Sequence, residues 1–362
     1  MKVLGLGTAV PEVVEQADAA RIARDILGGD ERQARLVKGL YRRSGVARRH
    51  STLLEEGSPE ARQTFFAPPT EAGQCRPGTG ERMQRYEQDA GPLAVRAAVA
   101  ALDDSGIEAA AITHLVTISC TGFHAPGPEV ALIEQLGLSP EVGRFAVGFM
   151  GCHGAFNGLR LADTIVRADP AARVLVCSIE LCTLHFSHTW ESDKQVANAL
   201  FADGAAAFVC GSGDDGPLAI RSFGSRLIED SRDAMSWRVG DHGFEMTLAA
   251  ELPDLIGSRL AGWLEPWLAE RALSASEINW AVHPGGPRIL DAVQRCMELD
   301  ADALAVSRSV LSDYGNMSSA TIGFILRQLR DGDHQGPGVA LGFGPGLMVE
   351  AFEFNLGEAA SN

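Results

Sequence analysis

The stretch GFMGCHGAFNGLRLA, residues 148–162, decides the fold class because it joins a strand to a helix through a tight turn. The apolar run RFAVGFM is typical of a buried strand, and the apolar positions after Gly154 recur with helical spacing. Gly151 and Gly154 flank Cys152, and glycine permits tight turns that other residues resist. The stretch therefore predicts a buried strand, a turn that holds a cysteine, and a helix.

Strands and helices alternate on both sides of this stretch. The helix that follows Pro92 has this proline in its first turn, where proline is well suited. Strands are predicted at 112–121, 172–180, 204–213, 279–282 and 338–354, helices at 17–44, 83–102 and 129–138, and a loop at 55–81. Such alternation indicates parallel strand pairing and an α/β fold.

The pattern of the first part of the chain recurs in the second. The segment ALSASEINWAVHPGG, residues 272–286, repeats the order of IEAAAITHLVTISCTG, residues 107–122: a helix end, a polar turn, a buried strand and a loop. We infer two similar halves, residues 1–210 and residues 211–362. A length of 362 residues agrees with this division, because one compact core seldom needs so many.

Composition and charge exclude several classes of protein. A net charge of −16 argues against a nucleic-acid-binding protein. The N-terminus lacks the apolar core of a signal peptide, and no apolar run approaches the roughly 20 residues that span a bilayer. We expect a cytoplasmic protein with no membrane partner. The seven cysteines are odd in number and form no pair of CxxC motifs, so neither a disulfide framework nor a metal site is expected.

Cys152 is the candidate nucleophile. A thiol at a helix N-terminus meets the positive end of the helix dipole, which is expected to lower its pKa and increase the thiolate fraction. The thiolate is the form of cysteine that attacks carbonyl groups. A buried cysteine at a tightly packed turn is the alternative interpretation of this segment alone.

Two other segments place polar side chains at the ends of elements. In NWAVHPGGPRIL, residues 279–290, a strand leads to His283 and a loop rich in glycine and proline follows, which exposes the imidazole at the edge of the sheet. In DYGNMSSATI, residues 313–322, Asn316 precedes a helix that begins near Met317. Asn316 either caps that helix or points its amide into a cavity. A cysteine, a histidine and an asparagine together suit decarboxylative condensation, in which a thiolate holds an acyl group and two donors stabilise an enolate.

NWAVHPGGPRILD, GNMSSAT and GFGPGL closely resemble signatures of the type III polyketide synthases, the chalcone and stilbene synthase superfamily. The resemblance extends from LGLGTAVP near the N-terminus to VEAFEF near the C-terminus. It implies a thiolase-like fold of five layers, αβαβα, with two duplicated halves, and a homodimer. It also implies that Cys152, His283 and Asn316 are catalytic and that Phe201 borders the cavity. The substrates would be an acyl-CoA starter and malonyl-CoA, joined iteratively without a metal or bound cofactor.

Several positions depart from the plant pattern. Met246 stands where plant enzymes have a second gatekeeping Phe, and Trp237 stands at a cavity-lining Gly. The remaining expected cavity positions are Cys120, Cys182, His185 and Ser318. We expect Trp237 to narrow the cavity, which favours a pyrone, a resorcinol or another small phenolic product. A repacked core with an unchanged product is the alternative.

The segment RLVKGLYRRSGVARRH, residues 35–50, gathers six cations on an otherwise acidic chain. Such a cluster is typical of an anion site or of a solvated helix face. The family resemblance matches Arg43 to a cation near the CoA phosphates, whereas Leu36 and Gly39 occupy two further family positions. Lys38 and Arg42 would then compensate from neighbouring turns.

Three other functions remain open from the sequence. The first is a β-ketoacyl synthase or acyltransferase of the same fold that performs a single step. The second is a catalytically silent relative that binds acyl-CoA or serves as a partner subunit. The third is a thiol hydrolase that uses Cys152 and His283 and needs no malonyl-CoA. Whether His153, beside the nucleophile, has more than a packing role is also open.

Overall fold

Strands and helices alternate through most of the chain. The computed structural model describes residues 1–58, 61–70, 76–213 and 217–357, so Cys75 and part of the predicted loop 55–81 lie outside the described residues. The strands are β1 Lys2–Ala9, β2 Val13–Glu15, β3 Arg48–His50, β4 His114–Ser119, β5 Gly143–Gly148, β6 Arg173–Leu181, β7 Asp203–Gly211, β8 Leu218–Leu227, β9 Met235–Gly240, β10 Gly243–Leu248, β11 Asn279–Val282, β12 Gly336–Gly344 and β13 Met348–Leu356. The α-helices are α1 Gln16–Leu27, α2 Glu31–Arg43, α3 Thr79–Ser105, α4 Pro128–Leu136, α5 Gly154–Ala168, α6 Ser192–Leu200, α7 Leu252–Ala269, α8 Pro287–Cys296, α9 Ala305–Tyr314 and α10 Thr321–Asp331.

Nine strands form one sheet in the order β11-β12-β13-β8-β1-β7-β6-β4-β5. The pairs β4–β5, β4–β6 and β11–β12 are parallel, as predicted. The other pairs of this sheet are antiparallel, so uniform parallel pairing is wrong. The short turn between β12 and β13 explains one of them, because a parallel pair needs a long crossover connection. The fold is mixed α/β.

Three apolar cores lie between the sheet and its helices. Helix α3 covers one face of the strands β1, β7 and β6, where Ala97 and Leu175 are buried together. Helices α5 and α10 share a second core with strands from both parts of the sheet, including Phe156, Val176 and Phe352. Helix α7 covers β11 and β12 in the third core. The helix that follows Cys152 is therefore held between the two parts of the sheet.

The glycines of the LGLGT segment let α3 approach β1 closely. A Cβ atom on Gly5 would lie 2.2 Å from the carbonyl oxygen of Ala101, and one on Gly7 would lie 2.2 Å from that of Ala97. Any larger residue would displace the helix backbone. Helix α3 begins at Thr79, so the placement of Pro92 in a first turn is wrong and this proline lies in the helix interior. The predicted helix 17–44 is two helices, divided after Leu27.

Strand β5 lies at the edge of the sheet and is mostly exposed, so its predicted burial is wrong for the single chain. Phe145 is 41% exposed, and Phe149 and Met150 beyond the strand are each 38% exposed. Phe123 is 59% exposed and stacks on the same ring, Phe244, that Phe149 contacts edge-on. An apolar edge strand of this kind normally has a covering partner.

None of the helices in the described ranges combines the length and the apolar character that crossing a membrane requires.

Candidate active site

Cys152 lies in the turn between β5 and α5, as predicted. Phe149 and Gly151 have positive φ angles of 60° and 79°. A Cβ atom on Gly151 would lie 2.5 Å from Cδ of Pro345, so the GFGPG segment closes over this turn. The amide of Gly154 donates to the carbonyl of Gly151 at 2.9 Å, which starts the helix directly after the cysteine. The local sequence thus places the thiol at the N-terminal end of a buried helix.

His283 immediately follows β11, and its amide donates to the carbonyl of Leu341 at 2.8 Å. The side chain is buried, and neither ring nitrogen has a hydrogen-bond partner among the described residues. Burial is the main cause of a pKa lowered to about 3, and the nearby His153 adds to the effect. The ring is therefore neutral at physiological pH. An unpartnered buried imidazole costs free energy, and such groups are commonly retained for a ligand or a reaction.

Asn316 is brought to Cys152 from the far end of the chain. It forms an isolated bridge with Phe201, and its Oδ1 accepts a hydrogen bond from the amide of Ser318 at 2.8 Å. Its side chain also lowers the pKa of the Cys152 thiol. Asn316 is not the N-cap of an α-helix, because a short 3-10 turn at Ser318–Ala320 precedes α10. The amide thus caps a turn and not an α-helix, and the alternative in which it points into a cavity stays a prediction.

The Cys152 thiol is not acidified in the resting site. Burial raises its pKa to about 12, and the hydrogen bonds from Ser318 and Asn316 oppose this shift. Our expectation of a lowered pKa considered only the helix end, whereas desolvation of the anion is the larger effect here. The Glu180 carboxyl nearby raises the thiol pKa further. A base or a conformational change must therefore act before Cys152 attacks a thioester at neutral pH.

Ser318 links two cysteines. Its hydroxyl lies 3.0 Å from Sγ of Cys120 and donates to Sγ of Cys152 at 3.6 Å. Ser318 has a positive φ of 48°, an unusual conformation for a residue with a side chain. The backbone at this turn is thus strained in a way that brings the hydroxyl between the thiols.

Glu180 is the site residue that sequence reasoning missed. It is fully buried in β6, and its carboxyl accepts hydrogen bonds from Thr121 Oγ1 at 2.6 Å, from the amide of Cys120 at 3.1 Å and from the hydroxyl of Ser319. Burial raises its pKa, and these hydrogen bonds oppose the shift. The signal was a single acidic residue inside the apolar strand RVLVCSIEL. A charged residue in such a strand is rarely buried without a specific role.

One cavity borders the Cys152 turn, and a second cavity lies next to the first. The first has a volume of about 10 Å³, which is too small for an acyl group, and it is bordered by Cys152, Cys120 and Ser318 among others. The second has a volume of about 190 Å³, and His185 borders it. Four residues border both cavities and so form the wall between them: Cys182, Phe201, Trp237 and Met246. All the expected cavity residues except Arg43 thus line at least one of these spaces.

Trp237 and Met246 are cross-strand partners in the hairpin β9–β10. Trp237 Nε1 donates to the carbonyl of Cys120 at 2.6 Å, which holds the indole across the site. His185 holds the same hairpin, since its Nδ1 accepts from the amide of Phe244 at 2.9 Å and its Nε2 lies 2.6 Å from the carbonyl of Thr121. Burial lowers the pKa of His185 to about 3, so this ring is a neutral tie between two backbone segments.

The basic cluster is only partly exposed. Arg43 is exposed at the end of α2, where its Nε donates to the carbonyl of Gly39 at 3.2 Å, and Lys38 and Arg42 are exposed nearby. Arg49 is instead buried and donates to the carbonyls of Asn198 at 2.6 Å and Phe201 at 2.8 Å. Arg49 therefore does not belong to a surface anion site, and it borders the larger cavity.

A buried thiol thus lies beside the Ser318 hydroxyl and near Asn316, and a buried, unpartnered imidazole follows β11. The family model for the N-terminal domain of chalcone and stilbene synthases matches residues 1–214, and that for the C-terminal domain matches residues 220–355. Together these models cover nearly the whole chain.

Known proteins of similar sequence and structure agree with this match. The chain is 35% identical over 366 residues to the alpha-pyrone synthesis polyketide synthase-like Pks18 of Mycobacterium tuberculosis, covering 97% of this chain and 90% of that protein. It is 31% identical over 369 residues to type III polyketide synthase C of Arabidopsis thaliana, covering 97% and 94%. The C-terminal type III polyketide synthase domain of Steely1 from Dictyostelium superposes with a TM-score of 0.89 at 28% identity, covering 98% of this chain and 99% of that one.

The chain belongs to the chalcone and stilbene synthase family of condensing enzymes. Within that family it is a type III polyketide synthase, an acyltransferase of polyketide biosynthesis, and the resemblance inferred from its motifs is confirmed.

Proposed function

We propose that Cys152 holds a starter acyl group from a CoA thioester and that malonyl-CoA extends it by repeated decarboxylative condensation. One observation supports this most directly: the Ser318 hydroxyl donates to the buried Cys152 thiol at 3.6 Å, the Ser318 amide donates to Asn316 Oδ1 at 2.8 Å, and both nitrogens of buried His283 lack partners among the described residues. Hydrogen-bond donors that are already in position and shielded from water stabilise a developing oxyanion best. The family supplies the substrate class, acyl-CoA and malonyl-CoA.

Cys152, His283 and Asn316 have different roles in the proposed reaction. Neutral His283 accepts the Cys152 proton, and the thiolate attacks the starter thioester, so a C–S bond forms and CoA leaves as its thiol. Malonyl-CoA then loses carbon dioxide, and the electron pair of the broken C–C bond forms an enolate that His283 and Asn316 stabilise. The enolate carbon attacks the acyl group, and the C–S bond breaks to regenerate Cys152. Phe201 and Met246 border the space where these groups meet.

A pyrone, a resorcinol or another small phenolic compound is the proposed product. The named activity of the mycobacterial relative is alpha-pyrone synthesis, and 35% identity over 97% of this chain makes it a reasonable guide. The cavity of about 10 Å³ at Cys152 also favours few extensions. The same observation favours one alternative, a synthase that performs a single condensation and stops.

Two structural features accompany this function in the proposal. The first is a five-layered αβαβα fold with duplicated halves, 1–210 and 211–362, which the two helix layers outside the sheet and the shared core around α5 and α10 support. The second is a homodimer, which the exposed apolar edge at β5, Phe123 and Phe149 supports. Arg43, Lys38 and Arg42 are proposed to contact the CoA phosphates.

Mass spectrometry of reaction products tests the proposal. Purified enzyme is incubated with malonyl-CoA and a panel of acetyl-, medium-chain, long-chain, benzoyl- and coumaroyl-CoA starters, beside Cys152→Ala as the matched control. We expect ketide products from the wild type and none from Cys152→Ala. A single-extension product from every starter supports the one-step alternative, and free acid released without malonyl-CoA supports a hydrolase. No product at all contradicts the proposal.

A further inference from the structure

The larger cavity has a charge pattern that the proposed condensation does not require. Its apolar part is formed by one face of α1, including Ala19, Ala23 and Ile26, together with Leu53 and Phe66. The cavity between these side chains and the opposite wall has a volume of about 190 Å³. An apolar wall of this extent suits an alkyl chain.

The buried charges that border this cavity are cationic. Arg49 is 7% exposed and Lys194 is 8% exposed, whereas the bordering acidic residues Glu191 and Glu245 are exposed. Arg49 donates to two carbonyl groups and to the Tyr41 hydroxyl, and it has no carboxylate within salt-bridge distance among the described residues. Lys194 lies 3.6 Å from a Glu245 carboxylate that is 63% exposed, and such exposed ion pairs are weak. Arg49 interacts electrostatically with the buried Asp203, so Lys194 is the buried cation that has only a weak counter-charge at this cavity.

A buried imidazole at the cavity adds an unused hydrogen-bonding group. His188 is 6% exposed, borders the cavity, and has no partner for its Nε2 among the described residues. Burial and the cations Arg82 and Arg76 lower its pKa to about 4, so the surroundings of the ring are positive. Arg82 itself lies over the ring of Phe66 and has an unpartnered Nη2. An anionic group beside His188 would be attracted by these cations and would form a hydrogen bond with Nε2 of His188.

The cavity also adjoins the nucleophile. Cys182, Phe201, Trp237 and Met246 separate it from the space of about 10 Å³ at Cys152. The space at Cys152 is too small for an acyl group, so the distal part of a starter on Cys152 would extend past this wall into the larger cavity.

We propose that the larger cavity receives the distal part of an acyl starter whose far end bears a carboxylate, that is, the CoA monothioester of a dicarboxylic acid. This inference rests on the proposed function and names its substrate class. The alkyl segment lies against α1, and the terminal carboxylate is held by Lys194, Arg49 and His188.

The test compares two starters of equal length, adipoyl-CoA and hexanoyl-CoA. The quantity measured is the ratio of kcat/KM for adipoyl-CoA to that for hexanoyl-CoA, which does not depend on how much of a preparation is folded. We expect the wild type to prefer adipoyl-CoA by about tenfold, since one charge-assisted hydrogen bond contributes roughly that factor. Lys194→Met should bring the ratio near one, Lys194→Arg should retain the preference, and Arg259→Met, on the exposed face of α7, should not change it.

A binding measurement covers the case in which turnover is absent. Cys152→Ala enzyme is titrated calorimetrically with each CoA ester, and the ratio of Kd values should show the same preference and the same response to Lys194→Met. Equal affinity for the two esters, or a preference that persists in Lys194→Met, overturns the inference. Loss of ketide products from every starter, with the binding preference intact, contradicts the proposed function instead.

Discussion

At the scale of single residues, the charge state of Cys152 is the central feature. Burial raises the pKa of its thiol to about 12, and Ser318 and Asn316 partly offset this by hydrogen bonding. The thiol is therefore protonated in the resting enzyme, and we propose neutral His283 as the base that accepts its proton. A protected thiol of this kind resists alkylation and oxidation until substrate arrives.

Replacing Ser318 by Ala should make Cys152 less reactive. The hydroxyl lowers the thiol pKa, so its loss raises that pKa and reduces the thiolate fraction at every pH below it. We expect iodoacetamide to alkylate Cys152 about threefold to tenfold more slowly in Ser318→Ala, the factor for one hydrogen bond. Peptide mass spectrometry at several pH values measures this rate.

The matched control is Ser258→Ala, on the exposed face of α7, and this variant should leave the alkylation rate unchanged. The wild-type rate should still rise with pH, because the thiolate fraction grows up to the pKa. Faster alkylation in Ser318→Ala would contradict the assigned role of this hydroxyl.

At the scale of secondary-structure elements, the hairpin β9–β10 determines how much space Cys152 has. The hairpin is held by two contacts: Trp237 Nε1 donates to the carbonyl of Cys120, and the amide of Phe244 donates to Nδ1 of His185, whose Nε2 lies against the carbonyl of Thr121. The indole of Trp237 lies in the wall between the two cavities. We therefore expect this hairpin, which is far from Cys152 in the sequence, to set starter size and extension number.

Trp237→Gly should join the two cavities and change the product profile. We expect longer starters to be accepted or additional extensions to occur, because the indole no longer separates the space at Cys152 from the cavity of about 190 Å³. Product masses across the starter panel measure this. Trp237→Phe keeps most of the bulk and should resemble the wild type, and an unchanged profile in Trp237→Gly would refute the role of this residue.

Helix α3 is tied to the segment after β6 by a buried arginine. Arg82 is fully buried and donates to the carbonyls of Leu184 at 2.7 Å, Phe186 at 3.2 Å and Pro77 at 3.1 Å. Burial lowers its pKa to about 10, which still leaves it charged at neutral pH. The guanidinium therefore satisfies carbonyl groups that have no access to water.

Arg82→Met should lower the free energy of unfolding by about 2 to 4 kcal/mol, because it leaves buried carbonyls without donors. Chemical denaturation followed by circular dichroism measures this change. Arg259→Met removes an exposed arginine and should change stability by less than about 0.5 kcal/mol. Equal stability of the two variants would show that water replaces the guanidinium.

At the scale of the whole molecule, the exposed edge of the sheet at β5 is the surface on which the proposed homodimer depends. Strand β5 offers unpaired backbone groups, and Phe123, Phe145, Phe149 and Met150 surround it with apolar area. Because β5 leads directly to the Cys152 turn, a second copy paired at this edge would also support the active site.

Phe145→Asp should weaken the proposed homodimer, because it buries a charge in the interface. We expect analytical ultracentrifugation to show a dimer for the wild type and a shift toward monomer for the variant. Val99→Asp is the matched control, since Val99 on α3 is 42% exposed and Phe145 is 41% exposed. A monomeric wild type, or a dimer that Phe145→Asp leaves intact, would contradict the homodimer.

The sequence by itself determined the elements around Cys152 and the family. The strand, the glycine-flanked turn and the helix follow from short-range patterns, and the motifs around His283 and Asn316 lie in segments only a few residues long. Such features depend only on residues that are close together in the chain, so they can be recognised from a single sequence.

The tertiary structure alone decided the raised pKa of Cys152, the burial of Arg49, the exposure of β5 and the division of the cavity by Trp237. Glu180 belongs to this group, because its partners Thr121 and Ser319 come from distant segments. The physical reason is common to all of them. Desolvation and packing depend on which residues that are distant in the sequence come into contact in the folded chain. Local sequence patterns do not encode those contacts.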